Sequence, residues 1–225
     1  MYCDIDKLLI QINLRFLVES HITPSLLPSI VPAKGLRAFS KNMTTLTSLT
    51  CSYVGPLRTA DMFLIADCFP NLQFFNLKLC YNISDEGIVH VLGRCSNIRH
   101  LNLACCSGVK LNGMNFEVPK LEVLNLSYTY VDDQTLYVIT KNCCGLLQLL
   151  LESCNYITKK GVMHVVENCT QLREINLRCC LEIFSDVVPS MVSSSPSLRK
   201  IIVSYRSLYT DKEMEFFLRQ GCLFC

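Results

Sequence analysis

One spacing recurs seven times between residues 46 and 203 and leaves the chain few ways to fold. The apolar triplets are Leu46/Leu49/Cys51, Leu72/Phe75/Leu77, Ile98/Leu101/Leu103, Leu121/Leu124/Leu126, Leu146/Leu149/Leu151, Leu172/Ile175/Leu177 and Leu198/Ile201/Val203. Their last members lie 26, 26, 23, 25, 26 and 26 residues apart. A near-constant period of this length marks a solenoid, in which each repeat buries its apolar face only against its neighbours. The alternation over the last two triplet positions is the strand period, with both residues pointing inward and the one between them outward.

The other half of each repeat reads as a helix. Eleven residues after most triplets stands an apolar residue, with others three and four positions on: Ile88/Val91/Leu92, Val162/Val165/Val166, Val188/Met191/Val192 and Met214/Phe217/Leu218. That spacing gives a helix one apolar face for the sheet. Ser84, Thr158, Ser185 and Thr210 precede these runs, where a side-chain oxygen can cap free N–H groups. Gly93 and Gly221 are expected at the left-handed position that ends a helix. The fold class expected is therefore α/β: a curved leucine-rich-repeat solenoid with short parallel strands on the concave face and helices on the convex face. Residues 46–225 hold about seven repeats, and residues 1–45 form a degenerate repeat or N-terminal cap in which Pro24, Pro28 and Pro32 interrupt any helix. The short step from Leu103 to Leu126 runs through SGVKLNGMNFEVPK, which lacks helical spacing. A loop is expected there, leaving a shallow notch in the helical layer.

The cysteines follow the same register. Cys80, Cys106, Cys154 and Cys180 each stand three residues after a triplet, and Cys68, Cys95, Cys143, Cys169 and Cys222 close the helices. A total of 15 is odd and belongs to a long chain, which argues against a stapled secreted scaffold. A thiol at a fixed repeat position reads better as a small buried group with a weak donor. Thr129 and Arg206 stand where the first column calls for cysteine, which should weaken those two turns.

The pattern L-x-x-L-x-L-x-x-C, followed by Ile-Ser/Thr and a short helix, resembles the cysteine-containing leucine-rich repeats of F-box/LRR proteins. The best matches are Leu72–Cys95, with CYNISDEGI, and Leu146–Cys169, with CNYITKKGV; the resemblance covers roughly residues 46 to 222. It implies the substrate-recruiting arm of a cullin-based SCF ubiquitin ligase. In that family an N-terminal F-box docks on a Skp-type adaptor. Residues 1–45 contain no Leu-Pro-led helical trio, so adaptor binding is expected only if an F-box lies outside this chain. The alternative is a stand-alone interaction or inhibitor scaffold, or the repeat end of an intracellular immune receptor.

Little in the chain points to catalysis, and no enzyme, cofactor or metal site is expected. His90 and His164 hold equivalent helix positions, three after Gly87 and Gly161, and read as solvated repeat histidines. Adjacent cysteines such as Cys105-Cys106 and Cys179-Cys180 point apart and chelate poorly, whereas structural zinc needs converging ligands. The C-terminal Cys222-Leu223-Phe224-Cys225 has the outline of a prenylation box, yet Cys222 already belongs to the helix-closing column. A net charge of +2 without a basic run gives no general pull toward nucleic acid or anionic membrane. The N-terminus begins with acids and breaks its apolar run, unlike a secretory signal, so a cytoplasmic or nuclear location is expected.

Function must then reside in the outward strand residues. The candidate concave partner-binding surface comprises Phe74, Asn76, His100, Asn102, Val123, Asn125, Gln148, Leu150, Glu152, Glu174, Asn176, Arg178 and Lys200. Phe74, Val123 and Leu150 suit a protein partner better than solvent. The asparagines have a structural alternative, hydrogen bonding along the sheet. Arg173, Arg178, Arg199 and Lys200 gather near the C-terminal end; a bound small anion and a salt-bridged edge with Glu152, Glu174 and Glu182 are both open. Some plant hormone receptors of the family hold an inositol phosphate in such a basic concavity.

Overall fold

Eight short strands run parallel in one sheet, in strict chain order, and each pairs only with its sequence neighbours. A computed structural model describes residues 46–52, 57–183, 186–204 and 209–224. The strands are β1 (Ser48–Thr50), β2 (Phe74–Asn76), β3 (His100–Asn102), β4 (Val123–Asn125), β5 (Gln148–Leu150), β6 (Glu174–Asn176), β7 (Lys200–Ile202) and β8 (Leu223–Phe224). Six helices are described: α1 (Thr59–Cys68), α2 (Asp85–Arg94), α3 (Asp133–Asn142), α4 (Lys159–Asn168), α5 (Val187–Ser194) and α6 (Asp211–Arg219). Parallel neighbours need a crossover, and a helix supplies one in most repeats. The chain is an α/β leucine-rich-repeat solenoid. The register is unbroken: Phe75 pairs with Leu101, Leu101 with Leu124, Leu124 with Leu149, Leu149 with Ile175 and Ile175 with Ile201. The seven triplets account for β1 to β7. The eighth strand has no triplet of its own and starts directly after Cys222.

Except for half-buried Val203, every triplet residue is buried, as are Ile88, Val91, Val162, Val165, Val188 and Met191 on the inward helix faces. Burying such a side chain stabilises the fold by roughly 1.5–3 kcal/mol. Helix starts follow the sequence where they can be seen: Ser84, Thr158 and Thr210 accept from Gly87, Lys160 and Glu213 N–H groups. Ser185 and Arg206 lie outside the described residues, as do residues 1–45. Gly93 does not end a helix. It lies inside α2, which stops at the Cys95 cap with φ −100°. A Cβ on Gly93 would sit 3.4 Å from the Phe116 ring, so the glycine admits close packing instead. Gly221, with φ +74°, does hold the left-handed position after α6.

The strand-exit turns explain the first cysteine column. Leu79, Cys105, Tyr128, Ser153 and Cys179 all have positive φ, between 58° and 65°. Each reverses the chain so that the following residue points inward. The buried thiols of Cys80, Cys106, Cys154 and Cys180 then donate to the carbonyls of Cys51, Leu77, Leu126 and Leu151, at 3.0, 3.1, 3.1 and 3.0 Å. These carbonyls end the strand of the preceding repeat, so the thiols tie repeats together. Thr129 keeps a donor at the same position but turns it to its own repeat, to the Leu126 carbonyl at 2.5 Å.

Burial pushes the thiols of Cys106, Cys143 and Cys180 to about 12 and those of Cys95 and Cys169 to about 11, from an ordinary 9.0. A raised folded-state value means that the unfolded chain gives up these protons first. The stability they contribute is complete below pH 9.0 and is lost as pH climbs toward 11 to 12. Melting temperature should therefore fall steeply across that window, and replacing Cys106 with serine should flatten the fall; a melting temperature constant through the window would refute it.

No helix joins β3 to β4, as the 23-residue step between Leu103 and Leu126 predicts. The loop is pinned instead by Asp85, the first residue of α2. Its carboxylate accepts from the backbone N–H groups of Lys110 (2.9 Å), Leu111 and Gly113 (3.2 Å). The same helix-start position works laterally in other repeats. Thr59 bonds Ser84, Asp133 accepts from Thr158 through both N–H (2.8 Å) and Oγ1 (2.6 Å), and Lys159 pairs with Asp186 at 2.5 Å. A shallow cleft of about 510 Å³ lies between loop residues Met114 and Asn115 and the outer face of α3, at Gln134, Val138 and Lys141.

Candidate functional site

The sheet face away from the helices carries three outward rows, each with one residue from every strand from β2 to β7 or from the turn just after it. The first row is Phe74, His100, Val123, Gln148, Glu174 and Lys200, paired strand to strand in one register. Its character changes along the solenoid. Phe74 is 36% exposed, and its ring stands 6.0 Å from that of His100. Beyond Val123 the row turns polar, and Lys200 pairs with Glu174 at 3.1 Å.

The second row, Asn76, Asn102, Asn125, Leu150, Asn176 and Ile202, is half-buried. Each asparagine Oδ1 accepts from the backbone N–H two residues on: Lys78 at 3.1 Å, Ala104 at 3.0 Å, Ser127 at 3.0 Å and Arg178 at 2.9 Å. These are Asx turns, which satisfy an N–H just where the strand ladder stops. The asparagine ladder therefore has a structural task within each repeat. Replacing Asn102 with alanine should lower stability by about 1 kcal/mol, whereas Asn102→Asp, which keeps the acceptor, should lower it less. Equal losses in urea unfolding would rule the turn out as the cause.

The third row is Lys78, Ala104, Ser127, Glu152, Arg178 and Ser204, of which Ala104 and Ser127 are buried. Glu152 is engaged on both oxygens. Oε1 accepts from the Tyr128 hydroxyl at 2.8 Å, and Oε2 from Asn176 Nδ2 at 3.4 Å. The carboxylate raises the Tyr128 phenol above its ordinary range through that hydrogen bond. The sequence-derived residues thus fall on one face but play different parts. Phe74, His100, Val123, Gln148 and Leu150 present outward surface, while Glu152, Glu174, Asn176 and Lys200 are tied to one another across neighbouring strands. Arg178 is exposed.

The basic group at the C-terminal end is partly satisfied within the fold. Lys200 is held by Glu174, and Arg199 donates to the carbonyls of Pro196 (2.6 Å) and Leu198 (3.0 Å). The helix histidines are not simply solvated. His90 meets Phe63 edge-on at 4.6 Å, and His164 lies 3.9 Å from the Tyr137 ring. In both pairs the aromatic ring comes from the preceding helix, so a repeat-to-repeat ring contact accounts for the recurrence. Cys105 and Cys106 diverge as expected, since the positive φ of Cys105 leaves it half-exposed while Cys106 is fully buried.

Sequence reasoning passed over an aromatic border. Tyr81, Tyr128, Tyr130 and Tyr156 are exposed where the chain leaves the strands, together with Leu181. In the sequence these tyrosines are scattered one or two residues from the cysteine position, without a shared spacing, and those positions read as mere turns.

Comparison with solved structures supports the fold. Rad7, from the yeast Rad7–Elc1 complex, aligns with a TM-score of 0.56 at 16% identity, over 88% of this chain and 65% of that one. A Bacteroides fragilis protein aligns with a TM-score of 0.54 at 14% identity, over 85% of this chain and 59% of its own. The chain thus spans about two thirds of the first and three fifths of the second. An internalin from Listeria monocytogenes overlaps more loosely, with a TM-score of 0.41 at 15% identity, over 76% and 54% of the two chains. No family model matches the chain, and no curated protein matches it in sequence.

Proposed function

We propose that this solenoid is a protein-recognition arm that recruits a substrate to a cullin-based ubiquitin ligase through its open sheet face. The observation that carries the reading is the first outward row. It offers Phe74, His100 and Val123, then Gln148, Glu174 and Lys200, on an unbroken parallel ladder whose opposite side is fully used by the core. A rigid face graded from apolar to charged suits a protein surface, with the apolar end as anchor and the charged end setting orientation. The ligase part rests on the CYNISDEGI and CNYITKKGV resemblance to F-box/LRR repeats. Similarity in fold to Rad7, solved with Elc1, is consistent with it. Among the described residues no helix is long and apolar enough to cross a membrane. Free buried thiols such as those of Cys106, Cys143 and Cys169 suit a reducing cytoplasm or nucleus.

Proximity labelling in cells tests the reading. A Phe74→Ala/Val123→Ala/Leu150→Ala variant should lose a defined set of labelled proteins that a Lys141→Ala variant on the helical side retains. An identical set for both variants would overturn recognition by the open face. For the ligase part, the proteins lost should live longer when the chain is depleted. Unchanged lifetimes would leave an interaction scaffold without a ligase link.

A further inference from the structure

We propose that Tyr130, Tyr156 and Glu182 form a second docking site, at the border where the chain leaves the strands, for an arginine of a basic peptide segment. The inference builds on the reading of the chain as a protein-binding solenoid but uses a surface separate from the first outward row. The residues lie on three successive repeats. Tyr130 and Tyr156 are 55% and 60% exposed, and Tyr128 and Leu181 beside them 53% and 67%. Lone exposed apolar side chains are ordinary; a run of them across adjacent repeats marks an interaction surface.

The two rings are held in place. The backbone forms an extra parallel bridge between Asp132 and Tyr156, outside the main sheet, which locks the two turns side by side. Their ring centroids are 6.0 Å apart at 69°, edge to face. Neither phenol hydroxyl has a hydrogen-bond partner among the described residues, in contrast to Tyr128, which bonds Glu152. Glu182 stands two residues after Cys180, as Tyr156 stands two after Cys154, so it takes the position next to Tyr156 on the following repeat. Glu182 is exposed and has no ion pair among the described residues.

Charge selects the occupant. The turn segments 127–133, 152–159 and 178–183 carry Asp132, Asp133, Glu152 and Glu182 against Arg178 and Lys159, and Lys159 is itself paired with Asp186, on a chain whose net charge is +2. Lys110 offsets Asp132 in part, at 3.5 Å. Such a local acidic excess repels phosphate-rich partners and attracts basic ones. Between the two basic side chains, arginine fits better. Its flat guanidinium can lie on a tyrosine ring while forking to a carboxylate, which the compact lysine ammonium cannot reproduce.

Fluorescein-labelled octa-arginine, followed by anisotropy at low salt against the full chain, tests this. We expect saturable binding that weakens about threefold or more in Tyr156→Ala and in Glu182→Gln. Tyr156→Phe should retain it, and octa-lysine should bind less tightly. Thermal melts of these surface variants should match the parent, which separates lost docking from lost folding. Failure of octa-arginine to bind, or equal binding by parent, Tyr156→Ala and Glu182→Gln, overturns the site. Concentration-dependent self-association abolished by Tyr156→Ala would also overturn it, by assigning the border to a second copy of the chain. The Phe74→Ala/Val123→Ala/Leu150→Ala variant should still bind octa-arginine. Loss in that variant alone would move the basic partner to the open face and dismiss the border site while leaving the recognition reading intact.

Discussion

Replacing Gly145 with alanine should lower stability by about 3 kcal/mol, toward the upper end of what overpacking does. A Cβ at this position would lie 2.2 Å from the Pro119 carbonyl oxygen, and that obstacle is main chain rather than a side chain able to rotate away. The cause lies one repeat earlier. Elsewhere the residue just ahead of the first triplet residue is Thr45, Asn71, Asn97, Lys120, Gln171 or Ser197, all with side chains. Gly145 alone follows the repeat that lost its helix, where the chain reaches β4 by the shorter route past Pro119. The neighbouring backbone comes closer there, and only hydrogen fits between. Gly161→Ala makes a useful contrast, because its Cβ would meet the Asp133 carboxylate at 2.2 Å, a side chain that can swing aside at the expense of its bonds to Thr158. Urea unfolding should place Gly145→Ala well below Gly161→Ala. A loss under about 1 kcal/mol at Gly145 would mean that the backbone yields there, and close approach would no longer explain the glycine.

The frame was legible because repetition averages over local ambiguity. A single Leu-x-x-Leu-x-Leu is weak, but seven in register assign Leu149, Ile175 and Ile201 to one ladder without any need of tertiary information. The cysteine at the turn was legible for the same reason, down to its role as a donor. What escaped were features that depend on the sign of φ or on contacts with a distant loop. Tyr128 and Cys179 sit in left-handed turns that nothing but glycine or asparagine would have announced. Gly93 looked like a helix end because glycine usually is one near that place, yet the Phe116 ring from the helix-free loop determines its need.

The candidate surface was legible as a face and less so as chemistry. Strand alternation alone places Phe74, His100 and Val123 outward. It does not reveal that Asn102 and Asn125 close their own turns, since an Asx bond leaves no spacing of its own in a sequence. Nor does it reveal that Glu152 bridges Tyr128 and Asn176 over three strands. The tyrosine border was invisible because its members fall at unequal distances from the cysteine position: Tyr130 comes one residue after Thr129, and Tyr156 two after Cys154.

Asp85→Ala should be as damaging as Gly145→Ala, also by about 3 kcal/mol, for a different reason. As an acid in the first turn of α2, Asp85 would by position alone be worth about a few tenths to 1 kcal/mol. In the fold its carboxylate gathers the N–H groups of Lys110, Leu111 and Gly113, which have no helix of their own to enter. Hydrogen bonds to a charged acceptor are worth about 1.5–3 kcal/mol each, and removing the acceptor strands the N–H of buried Leu111, while those of exposed Lys110 and Gly113 turn to water. Asp85→Asn keeps the shape but loses the charge and should fall between parent and alanine. Because each repeat contacts only its neighbours, the damage should spread from that loop in both directions. Hydrogen exchange in Asp85→Ala should therefore quicken first over residues 107–118, then in β3 and β4, with α6 last. Uniform loss of protection along the whole chain would show that the solenoid unfolds as one unit and that the Asp85 loop is no weak joint. Since β3 and β4 carry His100 and Val123, the same joint sets how firmly the apolar end of the recognition face is held.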